Sequence, residues 1–524
     1  MSKRFARLLV ALAACAATSV VFAAVANAQN YIVLYKSQSV GGDVASTVQK
    51  AGGSLVYTYP QIGVAIASSD NLSFRDNMMK DNRVEGVSGT AAYATQLAPD
   101  QADGGPPEEL PNAPATDADT LSPLQWDMRQ IHTPQAHAIT GGSPTVIVGD
   151  IDTGTDYRHP DLRQNISDAD SANCLSGAPV PGAAAADDDN GHGTHTAGTI
   201  AAASNGYGIV GVAPNVKIAS IKAGTAAGFF FPEAVVCSFV WAGLRHLDVT
   251  NNSYFADPFE YNCRNDPVQR AIWKAEQRAI LFAEQEGVTV VAAEGNDSDD
   301  TAHPTTDVTS PDFPPGSEQE RAITNACVIV PVEVPGVVGV SATGSTTQGT
   351  EAGQYPDNLK SFYSNYGVGV TEVAAPGGDS LFRTPESVNG RVLSTWPSTL
   401  PCTRSVQEPF PSDPSYPTAH YCYLQGTSMA SPHAAGLAAL IVSRYGDLQN
   451  PQNGKMRPSQ VAAYMQQTAD PQACPTTLPP GYLAFTGGNS GAVQQCQGGP
   501  GYNSWYGNGQ IDAFNAVTKN SGNQ

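Results

Sequence analysis

The sequence predicts an α/β protein in which a parallel sheet has helices on both faces and is preceded by a small α+β domain. From Leu121 onward, short apolar runs alternate with segments of helical periodicity, as in strands that are buried on both faces of a sheet. Residues 98–120 are rich in Pro, Gly, Asp and Glu and contain almost no large apolar side chain. Such a stretch is typical of an exposed linker, so it separates two folded units.

The composition narrows the class of protein. The chain has 524 residues, of which 48 are acidic and 27 basic, and the formal net charge of −21 argues against nucleic acid as a partner. Charged residues make up 14% of the chain, against a usual share of about 25%. With 51 glycines and 39 prolines, the sequence indicates a loop-rich globular protein.

Residues 1–28 have the pattern of a signal peptide. Three basic residues precede an apolar run from Leu8 to Ala24, and Ala26-Asn27-Ala28 is the small-x-small pattern of a signal peptidase site. No later segment approaches 18 uninterrupted apolar residues. We therefore expect cleavage after Ala28, secretion to the extracellular space with passage through a periplasm left open, and no membrane association afterwards.

Residues 29–97 form the predicted α+β domain, of a size near the lower limit for an independent core. We expect a strand at Tyr31–Tyr35, a helix at Asp43–Ala51, two strands within Ser54–Ala67 and a helix at Leu72–Asn82. The linker at 98–120 follows, and exposed linkers are where proteases cut. A maturation cut is expected there.

Residues 121–520 form the predicted α/β domain, with its site at the carboxyl ends of the strands. Two segments, Asp297–Asn325 and Gly378–Tyr421, are rich in Asp, Pro, Ser and Gly and are predicted to be surface loops. The predicted strands are Thr145–Asp150, Lys217–Lys222, Val288–Ala292 and Val337–Ala342, and the predicted helices are Gly193–Ala203, Glu233–Leu247 and Val268–Glu286.

Eight cysteines remain after removal of the signal peptide, and an even number in an exported chain suggests disulfide bonds. Their pairing does not follow from the sequence, but short loops favour Cys402 with Cys422 and Cys474 with Cys496. No Cys-x-x-Cys pattern occurs, which argues against zinc and thioredoxin-type sites.

Two motifs point to a carboxylate–histidine pair. Asp152 ends an apolar strand before a glycine turn, where a carboxylate can orient a histidine; a turn-capping role is the alternative. Only one Asp-Thr-Gly occurs, whereas aspartic proteases need two such carboxylates. His192 lies between two glycines, which leave a face of its ring open. His195 is expected to be structural, because no third metal ligand is evident.

Two further motifs point to a nucleophile and an amide donor. Ser428 lies in Gly426-Thr427-Ser428-Met429-Ala430 ahead of a small, apolar helical run, so it is placed at a helix N-terminus; a simple N-cap is the alternative. Ala430 excludes the Gly-x-Ser-x-Gly elbow of α/β-hydrolases. Asn296 follows an apolar strand, where its amide can donate to an oxyanion or act as a turn residue.

The order Asp152, His192, Asn296, Ser428 with these motifs resembles the subtilisin-like serine proteases, the subtilases of peptidase family S8. The resemblance covers residues 121–518, and residues 31–90 resemble the inhibitory, chaperone-like propeptide of that family. It implies that Ser428 attacks the scissile carbonyl, His192 transfers the proton and Asp152 orients His192. The backbone N–H of Ser428 and the amide of Asn296 would form the oxyanion hole.

The resemblance also assigns two walls of a substrate pocket. Ser253, Tyr254 and Phe255 stand where the family commonly has Ser-Leu-Gly or Ser-Trp-Gly, and Phe255 in place of glycine would narrow the pocket. Ala293, Glu294 and Gly295 form the opposite wall. Glu294 replaces a small residue, so it either favours basic substrates or faces solvent.

The resemblance implies no cofactor or metal in catalysis. Family members often bind structural calcium, and Asp187–Asp189 and Asp297–Asp300 could supply oxygen ligands. Because no calcium loop of fixed spacing is present, solvated acidic loops are the favoured interpretation.

The expected function is that of a secreted, self-processing serine endopeptidase. We expect a monomer that takes peptide and protein substrates and is held inactive by its own propeptide. A catalytically silent fold that binds peptides and an esterase with the same triad are the alternatives.

Overall fold

The computed structural model describes residues 28–90, 95–96, 119–255, 259–311, 316–345, 358–382, 390–449 and 454–519. Residues 1–27 of the predicted signal peptide and residues 98–118 of the predicted linker lie outside the described residues. Among the helices that are described, none is both long and apolar enough to cross a membrane.

The N-terminal domain is a four-stranded antiparallel sheet with two short helices, in the strand order β2-β3-β1-β4. The predicted helix at Leu72–Asn82 is only five residues long, and the strand β4 was not predicted because its sequence contains two glycines, which are rare in strands. The elements are β1 (Gln29–Tyr35), α1 (Val44–Ala51), β2 (Ser54–Tyr59), β3 (Val64–Ser69), α2 (Phe74–Met78) and β4 (Val84–Gly89).

The strands that follow are β5 (Thr95–Gln96), β6 (Ile147–Asp152), β7 (Ala172–Asn173), β8 (Val180–Pro181), β9 (Lys217–Lys222), β10 (Phe229–Phe230), β11 (Val249–Asn252), β12 (Asn262–Cys263), β13 (Thr289–Ala293), β14 (Thr306–Asp307), β15 (Arg321–Ala322), β16 (Cys327–Val328), β17 (Val338–Thr343), β18 (Thr371–Pro376), β19 (Val392–Trp396), β20 (Ser405–Pro409), β21 (Thr418–Leu424), β22 (Gly498–Gly499) and β23 (Tyr502–Asn503). The four strands predicted for the central sheet correspond to β6, β9, β13 and β17.

The helices of the second domain are α3 (Trp126–Gln130), α4 (Thr133–His137), α5 (His192–Ala201), α6 (Pro232–Leu244), α7 (Pro267–Gln285), α8 (Thr427–Tyr445), α9 (Pro458–Thr468) and α10 (Ala513–Thr518). The three predicted helices correspond to α5, α6 and α7, with ends that differ by at most three residues. Asp266 caps α7 by accepting from the backbone N–H groups of Val268 and Gln269.

An eight-stranded sheet forms the centre of the second domain, in the order β18-β17-β13-β11-β6-β9-β7-β8. All neighbouring strands are parallel except the edge pair β7 and β8. Helices α5 and α8 pack on one face and α6 and α7 on the other. The predicted α/β class, with helices on both faces of a parallel sheet, is therefore confirmed.

The prediction that Gly378–Tyr421 is a surface loop is wrong. Strands β19, β21 and β20 form an antiparallel sheet in this region, and Val392–Trp396 are buried. The side chains of Ser394 and Thr395 donate to backbone carbonyls of α5. The many Pro, Ser and Asp residues between the strands hid their apolar alternation.

The segment Asp297–Asn325 is also less exposed than predicted. Its described residues include the strand pair β14 and β15, and Asp299, Asp307 and Ser310 are buried. Their side chains and backbone carry internal hydrogen bonds, such as that from Ser310 Oγ to Asp307 Oδ2 at 2.8 Å. Polar composition alone did not distinguish a buried polar loop from a solvated one.

Four disulfide bonds link the eight cysteines of the second domain. Both predicted pairs, Cys402–Cys422 and Cys474–Cys496, are present. The other two, Cys174–Cys237 and Cys263–Cys327, close segments of 63 and 64 residues. Their partners are far apart in sequence, so only the tertiary fold brings them together.

The N-terminal domain packs against α6 and α7 of the second domain. Ser88 Oγ donates to the carbonyl of Val268 at 2.9 Å, and Asn30 Nδ2 donates to Glu233 at 2.9 Å. Strand β5, near the end of the N-terminal domain, pairs antiparallel with β10. The N-terminal domain therefore contacts both the helical face of the second domain and the strand that precedes α6.

Candidate active site

The first pair of site residues lies at the carboxyl end of β6 and the start of α5. Nδ1 of His192 lies 2.8 Å from Oδ1 and 3.0 Å from Oδ2 of Asp152, which is fully buried. The N–H of Thr153 donates to Oδ1 of Asp152 at 2.7 Å. Burial disfavours the charged imidazole, but the charge and hydrogen bond of Asp152 outweigh it, so the pKa of His192 is raised. Asp152 thus orients the ring and stabilises its cation.

Asp188, which sequence reasoning treated only as part of an acidic loop, holds this pair together. Its Oδ1 accepts from Thr153 Oγ1 and from the N–H of Gly191, both at 2.9 Å. Its Oδ2 accepts from the N–H of Thr194 at 2.9 Å. The carboxylate therefore joins the turn after β6 to the first turn of α5. No sequence motif distinguished it from its acidic neighbours.

Ser428 lies in the first turn of α8, whose N-cap is Gly426, so the interpretation of Ser428 as the N-cap is wrong. Its hydroxyl donates to the carbonyl of Ser253 at 3.1 Å, and the hydroxyl of Ser253 donates to the carbonyl of Ser428 at 2.9 Å. Among the described residues, Ser428 Oγ has no hydrogen bond to His192. A role as nucleophile would require the hydroxyl to turn towards the imidazole, and such contacts are often long in substrate-free sites.

Asn296 follows β13 and is oriented by the residue before Ser428. Its Oδ1 accepts from the N–H of Thr427 at 2.9 Å and from Thr427 Oγ1 at 3.0 Å. These two bonds fix the orientation of the amide, whose donor is Nδ2. Thr427, which the sequence analysis did not single out, thus determines which way the amide points. It lies in the same motif as Ser428.

Asn365 fixes the turn that carries Asn296. Its Nδ2 donates to the carbonyl of Glu294 at 3.0 Å, and its Oδ1 accepts from the N–H of Asp297 at 2.9 Å. Gly295, between these residues, has φ of 108°, a conformation that favours glycine. The turn is therefore held by a side chain from another part of the chain.

The first predicted pocket wall continues from β11. Ser253 contacts Ser428, as described above. Tyr254 is buried, stacks on Phe230 with ring centroids 4.2 Å apart, and donates from its hydroxyl to Asn252 at 3.2 Å. Phe255 is half-buried. The structure thus keeps Ser253 beside Ser428 and turns Tyr254 towards the strand β10.

On the opposite wall, Ala293 is the last residue of β13 and is buried, but Glu294 does not face solvent as one alternative predicted. Its side chain is fully buried, and its Oε2 lies 3.0 Å from Thr371 Oγ1. Burial raises the pKa of Glu294 well above its usual range. A role in favouring basic substrates would require an ionised carboxylate at the pocket surface, and this buried position does not provide one.

The predicted structural role of His195 agrees with its surroundings. The ring is buried, with Nε2 3.0 Å from the carbonyl of Cys422 and 3.2 Å from that of Val392. Burial lowers the pKa of His195 to about 3. The side chain therefore stays neutral and connects α5 to the sheet formed by β19, β21 and β20.

Several carboxylates of the acidic loops considered for calcium have partners within the protein, although Asp187 and Asp189 keep 38% and 54% of their side chains exposed. Asp187 pairs with Arg158 at 3.0 Å, and Asp189 pairs with Lys222 at 2.5 Å. Asp299 accepts from Ser490 Oγ at 2.8 Å. Asp188 accepts from the N–H groups of Gly191 and Thr194 at the start of α5.

One other set of side chains could hold a metal ion. Among the described residues, His132, Asp470 and Asp512 present ligand atoms that all lie within 4.8 Å of one another. These residues lie next to α4, α9 and α10.

A carboxylate–histidine pair, a serine at a helix N-terminus and an oriented amide are the kinds of group that a serine hydrolase uses. The model of the subtilase family, peptidase S8, matches residues 143–509 of the chain. Subtilisin Savinase of Lederbergia lenta is 30% identical over 332 residues, which cover 63% of this chain and 88% of that protein. The chain therefore belongs to the subtilase family of serine endopeptidases.

Two further comparisons agree with this assignment. The alkaline protease of Alkalihalobacillus alcalophilus is 30% identical over 332 residues, and the match covers 63% of this chain but spans only 62% of that protein's length. The crystal structure of the epidermin leader peptide processing serine protease of Staphylococcus aureus has a TM-score of 0.63 at 21% identity, over 95% of this chain and 99% of that one. This structural similarity concerns the fold.

Proposed function

We propose that the protein is a secreted serine endopeptidase that is made as a self-processing zymogen. The observation that carries the proposal is the short hydrogen bond between Asp152 and His192, at the start of the helix that packs beside the Ser428 helix. A catalytically silent fold would have no need to keep these groups together with an oriented Asn296.

The chemistry follows from the atoms. The hydroxyl of Ser428 turns to Nε2 of His192, loses its proton to it and attacks the carbonyl carbon of the peptide. The negative charge that develops on the carbonyl oxygen is stabilised by Nδ2 of Asn296 and by the N–H of Ser428 at the positive end of α8. His192 then gives the proton to the leaving amine, and a water molecule hydrolyses the acyl-enzyme by the same steps in reverse.

We further propose that residues 29–97 act as the propeptide. In support, the domain packs on α6 and α7, and Arg278 donates to the carbonyl of Tyr35 at 2.8 Å. Strand β5 pairs with β10 next to Tyr254, in the way an extended peptide adds to a strand edge. A cut within residues 98–120 would then separate inhibitor from enzyme.

The test is the intact mass of the purified protein and of its Ser428→Ala variant, each treated with a fluorophosphonate that tags only an activated serine. One adduct on the wild type, none on the variant and loss of the residues before about 120 are expected. A correctly processed wild type that takes no adduct would contradict the proposal and favour a peptide-binding fold. Comparison of amide with ester substrates separates a peptidase from an esterase.

A further inference from the structure

A second carboxyl group lies beneath the proposed triad. Asp150 precedes Asp152 by two residues on β6, so both side chains point to the face that carries α5 and α8. Asp150 is buried, with 1% of its surface exposed. Its Oδ2 lies 2.8 Å from Thr196 Oγ1, and its Oδ1 accepts from Asn251 Nδ2 at 2.9 Å.

These two contacts lead to both helices of the site. Oδ1 of Asn251 accepts from Ser431 Oγ on α8 at 2.7 Å, and Nδ2 of Asn251 also donates to Ser253 Oγ at 3.1 Å. Ser253 exchanges hydrogen bonds with Ser428, as described above. On the other side, Thr196 belongs to α5, which begins at His192. One carboxyl group thus connects the elements that carry the histidine and the serine.

The hydrogen-bond pattern indicates that this carboxyl group is neutral. Thr196 Oγ1 lies 3.1 Å from the carbonyl of Gly193 as well as 2.8 Å from Asp150. A hydroxyl has one proton, so both contacts are hydrogen bonds only if Asp150 donates to Thr196 and Thr196 donates to Gly193. Burial, and then the charge of Asp152, raise the pKa of Asp150 well above its usual range, in agreement with this assignment.

We propose that Asp150 is a positioning residue: as a neutral carboxylic acid it links α5 to α8 and so fixes the path between Ser428 and His192. This inference rests on the proposed function, because it assigns a role within the same reaction. Asp150 touches neither substrate nor the reacting atoms. It acts through Asn251 and Thr196.

Two substitutions separate the parts of the proposal. Asp150→Asn keeps one donor for Thr196 and one acceptor for Asn251, so it should label with a fluorophosphonate within about threefold of the wild-type rate. Asp150→Ala removes both bonds, and we expect its labelling rate to fall about 10- to 100-fold, since small misplacements of catalytic groups cost up to about 100-fold. With a peptide substrate the loss should lie in kcat rather than KM.

A buried carboxyl elsewhere provides the matched control. Asp161 is also buried and accepts from Tyr421 Oη at 2.8 Å and from the N–H of Ile209 at 3.2 Å. Asp161→Ala should lower the melting temperature as Asp150→Ala does, but should leave the labelling rate unchanged. Any variant that fails to process itself is cut in trans with a trace of wild type before the measurement.

The titration of His192, followed by the nitrogen-15 shifts of its imidazole, tests the charge of Asp150 without turnover. The titratable groups around this ring are Asp152 and Asp150 on β6, Asp188 in the loop before α5, and His195 on α5. If Asp150 is neutral, Asp150→Asn leaves the midpoint of the His192 titration unchanged. The nitrogen-15-labelled protein is the processed product of the full-length chain in every case.

Three outcomes decide between the proposals. A wild type that does not label contradicts the proposed function, and the titration still tests whether Asp150 is neutral. A wild type that labels, with Asp150→Ala labelling equally fast, overturns the positioning role alone. A fall of more than about half a unit in the His192 midpoint on Asp150→Asn shows that Asp150 is ionised and overturns the neutral assignment.

Discussion

Buried carboxyl groups on the two faces of the central sheet differ in their hydrogen bonding. On the face covered by α5 and α8, both oxygens of Asp150 have hydrogen-bond partners. On the face covered by α6 and α7, Glu276 is fully buried, and neither of its oxygens has a partner among the described residues. The carboxyl group of Asp150 is therefore satisfied by hydrogen bonds, whereas that of Glu276 is buried without one and costs stability.

The largest expected effect comes from removing the proposed nucleophile, Ser428, on the face covered by α5 and α8. Ser428→Ala should lower peptide hydrolysis by about 10⁶-fold, as loss of the nucleophile does in a subtilisin, and should leave the precursor uncut. Peptide-hydrolysis kinetics on protein cut in trans measure the first effect, and intact mass measures the second. Wild type added in trans should still cut the variant, and a precursor that processes itself normally without Ser428 would contradict autocatalysis.

The next effect concerns the amide donor. Asn296→Ala should reduce kcat by about 100- to 1,000-fold with little change in KM, because the amide acts on the charge that develops in the transition state. Steady-state kinetics on a peptide substrate provide the measurement.

Asn165→Ala is the control for Asn296→Ala. This buried amide donates to the carbonyls of Ala201 and Pro214, so its loss should reduce stability and leave kcat unchanged. An equal fall in kcat in both variants would show that the effect of Asn296→Ala is structural.

Removing Glu276, the buried acid without a partner among the described residues, tests the difference between the two faces. Glu276→Leu should stabilise the protein by about 1 to 2 kcal/mol at neutral pH, since a buried group without a hydrogen bond is lost. Denaturant unfolding measures the change, and Gln277→Leu on the same helix is the control for helix propensity. A destabilised Glu276→Leu protein would show that Glu276 has a partner in solution.

Glu276 should also make the stability of the protein depend on pH, in a direction that follows from its pKa. Burial, and then the charge of Glu233, raise the pKa of Glu276 well above its usual range in the folded protein. The folded state therefore binds more protons than the unfolded state above the unfolded pKa, and stability falls as pH rises from there through the folded pKa. Glu276→Gln should show a smaller decrease in melting temperature between pH 5 and 8, on the order of a few degrees.

The smallest effect lies in the pH profile of the site on the face covered by α5 and α8. Because His192 must be neutral to accept a proton and its pKa is raised, kcat/KM should rise with pH through a midpoint above 6.5. Below that midpoint the rate should fall about tenfold for each pH unit. Asp189→Asn, at the exposed partner of Lys222, should leave the midpoint in place, and a midpoint below 6.5 would contradict the effect of Asp152.

Four of the eight strands of the central sheet could be predicted from the sequence, because runs such as Val288–Ala292 are rich in apolar and β-branched residues. The strands β7, β8, β11 and β18 were not predicted. The triad candidates were recognisable because each lies in a motif with glycine or at the end of such a run. The burial of Glu294 could not be predicted, since only the tertiary fold brings Thr371 Oγ1 beside its carboxyl group. The strands β19 and β20 were hidden by the polar residues around them.

The residues that hold the site together were harder to predict than the residues that react. Asp150 lies in an apolar strand and Asp188 in a run of three aspartates, so neither has a local pattern that reveals its partners. Their roles depend on Thr196 and Thr194, which the fold of α5 brings to them. Sequence patterns indicate local chemistry, whereas a hydrogen-bond network between helices becomes visible only in the tertiary structure.

If residues 29–97 are the inhibitory propeptide that we propose, the pairing of β5 with β10 affects when activity begins. While the two domains belong to one chain, the N-terminal domain faces its binding site at an effective concentration set by the tether, which is commonly millimolar. Once the chain is cut between them, the same contacts hold only as well as the dissociation constant allows at the actual concentration. Dilution outside the cell would then complete what the cut begins, so the onset of activity would depend on how much protein is present.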